Sequence, residues 1–376
     1  MRAWLRRLLG ATDAPRPGTF RSLWGTTPII SICSTSKAES LLGITSHTLV
    51  FSRYFVTGAF HYDLSRYCRN RLLKALIPFL VLPWALSRYR VFHFFADRGI
   101  LPSWSGHRFN RLELLLLRLL RKKLFVYTYG GDVRTRQATL ALGRYHCCLH
   151  CPEVGRYCVC DEGRQSRNLK LLRRYATAIL AMGDMAEYTP GSDNSLFFWP
   201  IDLARVPYVG VRADDSPPIR VVHAPNHRHF KGTEYLVAAV ERLRREGIPV
   251  ELRCIERVPN EQAIALYAEA DVVAEQFLIG WHGYTAIEAM ALGKPVVAYI
   301  RKPDYHPAAA ECPIVNANPD DLADVLRSLA TDGARRRALG EQGRAYVERH
   351  YSLEAFSRRL QALYVRHGVL APGPPS

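Results

Sequence analysis

The feature that most limits what this chain can fold into is a regular alternation that begins near residue 216. "IRVVHAP" reads as a buried strand, "TEYLVAAVERLRREG" is an amphipathic helical pattern closed by Gly247, and "PVELRCIE" reads as another strand. Helix "NEQAIALYAEA", strand "DVVAEQF", helix "YTAIEAMALG" and strand "KPVVAYI" continue the series. Short strands joined through helices of about ten to fifteen residues pair in parallel, so this half reads as a doubly wound α/β sheet. The first half repeats the pattern less evenly. "TPIISIC", "HTLVFSR", "YRVFHFF", "KKLFVYTY", "ATAILAM" and "NSLFFWP" read as strands, with "RFNRLELLLLRLLRK" a strong helix. A chain of 376 residues, 48% of them hydrophobic, fills two such cores. The expected domains are 1–212, carrying a Cys-rich insertion near 146–160, and 213–350, divided near the polar "VRADDSPP" at 211–218. The basic helical stretch 351–376 is expected to return toward the first domain, and the two open sheets to face a cleft.

Charge narrows the partners. The formal net charge is +17, and residues 1–130 hold 20 Lys and Arg against five acids, so +15 of the excess lies in the first third. Such a surface expects an anionic partner. No helix-turn-helix, finger spacing or RNA-binding aromatic signature is present to read bases, which argues against nucleic acid. The apolar run Ala75–Leu86, "ALIPFLVLPWAL", is expected to be broken by Pro78 and Pro83 and falls short of the roughly 20 residues a spanning helix needs. With Trp4, Trp24 and Trp84 it fits an anionic leaflet instead. The N-terminal "MRAWLRRLLG" has too interrupted an apolar stretch for a signal peptide, so a cytoplasmic protein, peripheral at the inner face of the membrane, is expected. Its nine cysteines are then thiols or metal ligands.

The segment "GWHGYTAIEAMALGKPVV" follows a strand with a glycine turn that opens a helix. Backbone N–H groups at Gly283, Tyr284 and Thr285 would meet a phosphate there. Glu288, one turn further in, would accept bonds from two vicinal hydroxyls such as those of a ribose; the plainer alternative is an acid that complements its helix dipole. The loop "HAPNHRHFKGT" brings Arg228 and Lys231 to the start of the next helix, where cations neutralise a departing diphosphate. Phosphate and ribose contacts together describe a nucleotide.

These segments, with "LGEQGRAYVERHYSLEAF" near the end, resemble the nucleotide-sugar-dependent retaining glycosyltransferases of the GT-B fold, the glycosyl transferases group 1 family. The likeness covers about 216–360 well and the first half more faintly, through "VFHFF" and "YTYGGDVR". It implies two Rossmann-like domains, a nucleoside diphosphate sugar donor on Arg228, Lys231, Tyr284, Thr285 and Glu288, no cofactor or metal for transfer, and retention of anomeric configuration. The sequence departs from the family at two places. The first acid of the Glu-x7-Glu signature is replaced by Gly280, leaving Glu275 or Gln276 to contact the sugar, and a family His-Gly is written Tyr129-Gly130.

On the acceptor side, a glycan or lipid-linked glycan, Asp132 would orient a hydroxyl, Arg134 would meet a phosphate and His93 would line the cleft; an N-cap role for Asp132 and a core role for His93 are the plainer alternatives. Cys148, Cys151, Cys158 and Cys160 have the spacing of a structural zinc knuckle, with His146, Cys147 and His150 as substitutes, or form a cluster of thiols. Two rival functions stand beside sugar transfer: a non-catalytic nucleotide-sugar or glycan-binding protein, and a zinc-bearing polyanion-binding protein.

Overall fold

A computed structural model describes residues 20–29, 31–54, 60–103, 108–212, 216–305 and 308–371. The chain divides into two compact units, one of Met1–Thr135, Gly155–Pro200 and Leu353–Ser376, the other of Arg136–Val154 and Ile201–Ser352. Trp4 and the "MRAWLRRLLG" segment lie outside the described residues.

The first unit is built on a parallel sheet of β1 (Arg21–Thr26), β2 (Thr45–Val50), β3 (Tyr62–Asp63), β4 (Val91–Phe95), β5 (Lys123–Tyr127) and β6 (Ala178–Leu180), ordered β3-β2-β1-β4-β5-β6. Both faces are covered, so these strands are buried nearly throughout. Helix α1 (Ser31–Ser40) and the C-terminal helix Leu353–Arg366 share a core with Trp24, Val50, Phe95 and Phe125. Helices α2 (Arg71–Arg88), α3 (Arg111–Leu119) and α4 (Glu162–Tyr175) make the crossovers to β4, β5 and β6.

Three sequence expectations fail here. "TPIISIC" is not a strand: β1 lies earlier, and Ser31 opens a helix whose hydroxyls bond back to it, Thr35 to the Ile32 carbonyl and Ser40 to that of Ser36, both 3.0 Å. "NSLFFWP" forms no strand because Phe197 has φ 47°, outside extended backbone, and only Asp193 bridges to Leu180. The prolines do not interrupt "ALIPFLVLPWAL", which lies within the 18 residues of α2; Asn70 caps it by accepting from the Leu72 and Leu73 amides at 2.9 and 3.2 Å.

The second unit carries β7 (Ile219–His223), β8 (Val250–Cys254), β9 (Val272–Ala274), β10 (Val296–Ala298) and β11 (Val315–Asn316), all parallel and ordered β11-β10-β9-β7-β8. Its connecting helices include α5 (Arg228–Lys231), α6 (Thr233–Arg245), α7 (Asn260–Ala268) and α8 (Tyr284–Ala291). The chain moves one way from β7 to β8, crosses back to β9 and then moves the other way, so β7 and β9 are neighbours whose following helices leave in opposite directions. Their carboxyl ends form the topological switch point, where doubly wound sheets bind ligands.

The break after Pro200 comes earlier than the expected 212/213. The Val209 and Gly210 amides donate to the Leu292 carbonyl (3.0 and 2.8 Å), and Arg344 holds the Val206 carbonyl at 3.0 Å, so 201–212 packs with the second unit. The long basic stretch at the C-terminus is two helices, Gly333–His350 and Leu353–Arg366, parted at Tyr351–Ser352, where Ile201 takes the Tyr351 carbonyl at 2.8 Å. Among the described residues no helix is long and apolar enough to cross a membrane.

Candidate functional site

At the switch point of the second sheet three elements meet. Lys231 closes α5, the short helix after β7, and its ammonium pairs with Glu275, just past β9. The other Glu275 oxygen accepts from the Gly283 amide at 2.8 Å, at the N-terminus of α8. The Phe277 amide donates to the Lys231 carbonyl at 2.9 Å, joining the two loops a second time. Gly283 is required by this approach: a Cβ there would stand 2.6 Å from Glu275 Oε1 and 3.4 Å from Lys231 Nζ. Beneath the junction, His223 at the end of β7 bonds the Ala274 carbonyl and the Thr233 hydroxyl, each at 2.8 Å. Burial, with the Lys231 and Arg228 charges nearby, lowers its pKa to about 4, so the imidazole is neutral and acts as a clamp.

The predicted donor residues are not all placed alike. Lys231 is 11% exposed and Glu275 fully buried, whereas Arg228 is 45% exposed and pairs with Glu234 at 2.9 Å and Glu256 at 3.6 Å. The two cations therefore have different partners. Glu275 accepts from Lys231 with one oxygen and from the Gly283 amide with the other, tethering Lys231 to the α8 terminus, and Gln276 donates to the Trp281 carbonyl. Glu288 lies in the second turn of α8, 4% exposed, and accepts from Asn260 Nδ2 at 2.6 Å. Burial, partly offset by Asn260, raises its pKa to about 7. Thr285 hydrogen-bonds the buried Tyr267 phenol beside Glu288. Asn260 and Tyr267 carry no sequence signal beyond their place in an amphipathic helix. Gly280 has φ 85°, and a Cβ on it would run into the Arg301 guanidinium. The place of the missing acid thus holds a cation, which a motif scan sees only as an absence.

In the first unit, Asp132 ties the two-glycine turn after β5, accepting from the Tyr129 amide at 3.0 Å and the Gly130 amide at 2.8 Å. It caps no helix. Its Oδ2 is buried with no hydrogen-bond partner among the described residues. Burial, reinforced by the Asp97 charge, raises its pKa to about 7. Asp97, past β4 and not signalled by the sequence, accepts from the Thr27 hydroxyl at 2.5 Å. Arg134 pairs with buried Asp184 at 2.8 Å. Asp132, Glu113 and Glu288 are all pushed to about 7 mainly by burial. Each keeps its proton in the fold where the unfolded chain has lost it, so from about pH 4.5 to 7 they make stability fall as pH rises, by about 1.4 kcal/mol per pH unit per group. Asp132→Asn is expected to make that fall shallower by one proton's share. Urea unfolding at about pH 5, 6 and 7 checks this, and an unchanged slope refutes the assignment for Asp132.

Two sequence candidates are corrected. His93 is fully buried in the middle of β4, stacked on Trp24 at 3.8 Å, with Nδ1 on the Tyr127 hydroxyl (2.8 Å) and Nε2 on that of Tyr364 (2.6 Å). It is a core residue and lines no cleft, and Trp24, equally buried, meets no membrane. The cysteines form no disulfides, and among the described residues no three His, Cys, Asp or Glu side chains gather to hold a metal ion. The local backbone is committed otherwise. Thr135 bridges to Cys160, whose amide donates to the Arg134 carbonyl at 3.1 Å while its sulfur accepts from the Gly155 amide at 3.2 Å, and Asp161 then caps α4. Cys148, Cys151, Cys158 and Cys160, with His146, Cys147 and His150, are thus not assembled into a ligand set.

This two-sheet α/β fold has counterparts among solved structures. Sucrose-phosphate synthase of Thermosynechococcus elongatus superposes with a TM-score of 0.56 at 14% identity over 92% of this chain and 98% of its own. An Anabaena protein, HepE, solved with UDP-glucose, gives 0.55 at 12% identity over 92% and 100%. The fold is GT-B. An α-glucosyltransferase solved with UDP-glucose and DNA containing an abasic site shares that GT-B frame, with a TM-score of 0.58 at 11% identity over 92% and 99%. By sequence, the chain is homologous to glycosyltransferases. It is 34% identical over 153 residues to the D-inositol 3-phosphate glycosyltransferase of Corynebacterium urealyticum, and 26% identical over 211 residues to that of Corynebacterium efficiens. These matches cover 39% and 48% of this chain and span 35% and 48% of the relatives' length. No protein-family model matches the chain.

Proposed function

We propose that the protein is a retaining glycosyltransferase that moves a sugar from a nucleoside diphosphate sugar to a glycan or lipid-linked glycan. One observation carries the reading: Lys231, Glu275 and the N-terminus of α8 converge at the switch point of the second sheet. In this reading the bond from the anomeric carbon to the β-phosphate breaks with its electron pair on the phosphate oxygen. Lys231 and the amides near Tyr284 and Thr285 stabilise that charge, so no metal is needed. The acceptor hydroxyl attacks the same face, and its proton passes to the departing phosphate. Glu288 and Asn260 take the ribose hydroxyls, and Asp132, beside Asp97, orients the acceptor. Several GT-B neighbours were solved with UDP or UDP-glucose, which favours a uridine diphosphate donor. Arg301 donates only, so at the place of the missing acid it favours a sugar rich in acceptor oxygens, a uronate above all.

Thermal-shift titration with UDP, GDP and ADP and their glucose and glucuronate sugars is the test. UDP compounds are expected to raise the melting temperature of the native chain, and this shift is expected to vanish in Glu288→Ala. A shift with no transfer to any acceptor would favour the non-catalytic nucleotide-sugar binder. No shift with any nucleotide would remove both readings.

A further inference from the structure

The side of helix α2 turned away from its own core is apolar. Pro78, Leu82, Ala85 and Leu86 face inward, while Leu72, Leu76, Phe79 and Leu80 are 75, 59, 41 and 72% exposed. At about 100° per residue those four fall within roughly a 100° arc. A solvated face of this kind marks a surface made to be covered. Around its N-terminal end stand exposed Arg66, Arg69, Arg71 and Lys74, and the lone acid between residues 40 and 96 is Asp63, already paired with Arg53. In the same unit, α3 exposes Leu112, Leu115 and Leu119 beside Arg111 and Arg118.

We infer that this face docks on an anionic lipid bilayer, with α2 lying in the membrane plane. Three features select that occupant. The apolar side chains stand on a convex helix face, which offers a small apolar ligand no enclosure. The surrounding charge has one sign, so a second copy of the same face would bring arginines against arginines. A leaflet of anionic headgroups over hydrocarbon supplies both complements: the leucines and Phe79 enter the acyl boundary while the basic side chains reach the phosphates. The helix docks without spanning, being neither long nor apolar enough to cross. This inference is independent of the donor site, since it rests on the outer face of the first unit alone.

Flotation of the full chain with two vesicle preparations tests it: phosphatidylcholine alone, and phosphatidylcholine with phosphatidylglycerol. The native chain is expected to float with the anionic vesicles, to stay behind with the neutral ones and to be released by salt. Leu76→Glu with Leu80→Glu is expected to weaken partitioning on the order of tenfold or more, and Arg69→Ala or Arg71→Ala roughly fivefold each. The altered side chains are exposed, so unchanged circular-dichroism melting confirms that the variants remain folded. Failure of the native chain to bind, or binding indifferent to the leucine changes, overturns the proposal. So does a concentration-dependent dimer abolished by the leucine changes in a chain that ignores vesicles.

Discussion

Lys231→Met is expected to lower sugar transfer by about 10²–10³-fold, the effect of removing one preorganised charge from a developing anion. The same change leaves Glu275 fully buried with a single partner, the Gly283 amide. An unmatched buried carboxylate costs about 3–5 kcal/mol, so lost activity in this variant alone would not separate chemistry from folding. The double variant Lys231→Met/Glu275→Gln does. It removes both charges at nearly constant volume, and the glutamine still accepts from Gly283 through its carbonyl oxygen, so most of the stability is expected to return while transfer stays low. Glu275→Gln alone keeps the cation and loses its tether; if Glu275 positions rather than reacts, turnover falls less than in Lys231→Met. A double variant that is well folded and transfers at the native rate would remove Lys231 from the mechanism, and with it the proposed donor site.

What the sequence made legible follows from where its physics is local. Seven elements of the second unit follow from apolar periodicity and their glycine and proline stops, because strands covered on both faces, such as β7, β9 and β10, are written as apolar runs. The Ser-rich helix Ser31–Ser40 was not legible, since hydroxyls that bond their own helix backbone look in sequence like turn formers. Within the site, glycine turns and cations pointed to Lys231 and Gly283 separately, and the structure brings the two together. What they could not announce was pairing over distance. Glu275 meets Lys231 and Asn260 meets Glu288 only after the sheet has ordered its strands, and the exchange of an acid at 280 for Arg301 joins residues from different loops. His93 shows the reverse error. An aromatic-flanked histidine on a strand has the same sequence whether it ends at a cleft or is packed under a tryptophan, and here its core partners decide.

Those partners make Glu39→Leu the most destabilising single change expected in the first unit. Glu39 is fully buried on α1, yet accepts from Trp24 Nε1 at 2.6 Å, from Ser46 at 2.7 Å, and from the hydroxyls of Ser22 and Tyr364. Burial pushes its carboxyl up, but His93 and these donors outweigh burial and hold it below the ordinary glutamate range. Because the Tyr364 proton goes to Glu39, His93 Nε2 must donate to the Tyr364 oxygen. Leucine would strand four donors in the core, at about 3–5 kcal/mol in urea unfolding. Glu39→Gln is expected to cost less, about 1–2 kcal/mol, because its amide can donate to Tyr364, which then donates to His93 Nε2 and moves the ring proton to Nδ1. Nitrogen NMR of His93 reads that tautomer change directly. A folded-state pKa below the unfolded one also fixes the sign with pH: the Glu39 contribution is complete above about 4.5 and drains away as the solution is acidified through the lowered value, opposite in direction to the three raised carboxyls. A glutamine variant with the native tautomer, or a leucine variant within about 1 kcal/mol of the native chain, would show that the carboxylate is a bystander in that core.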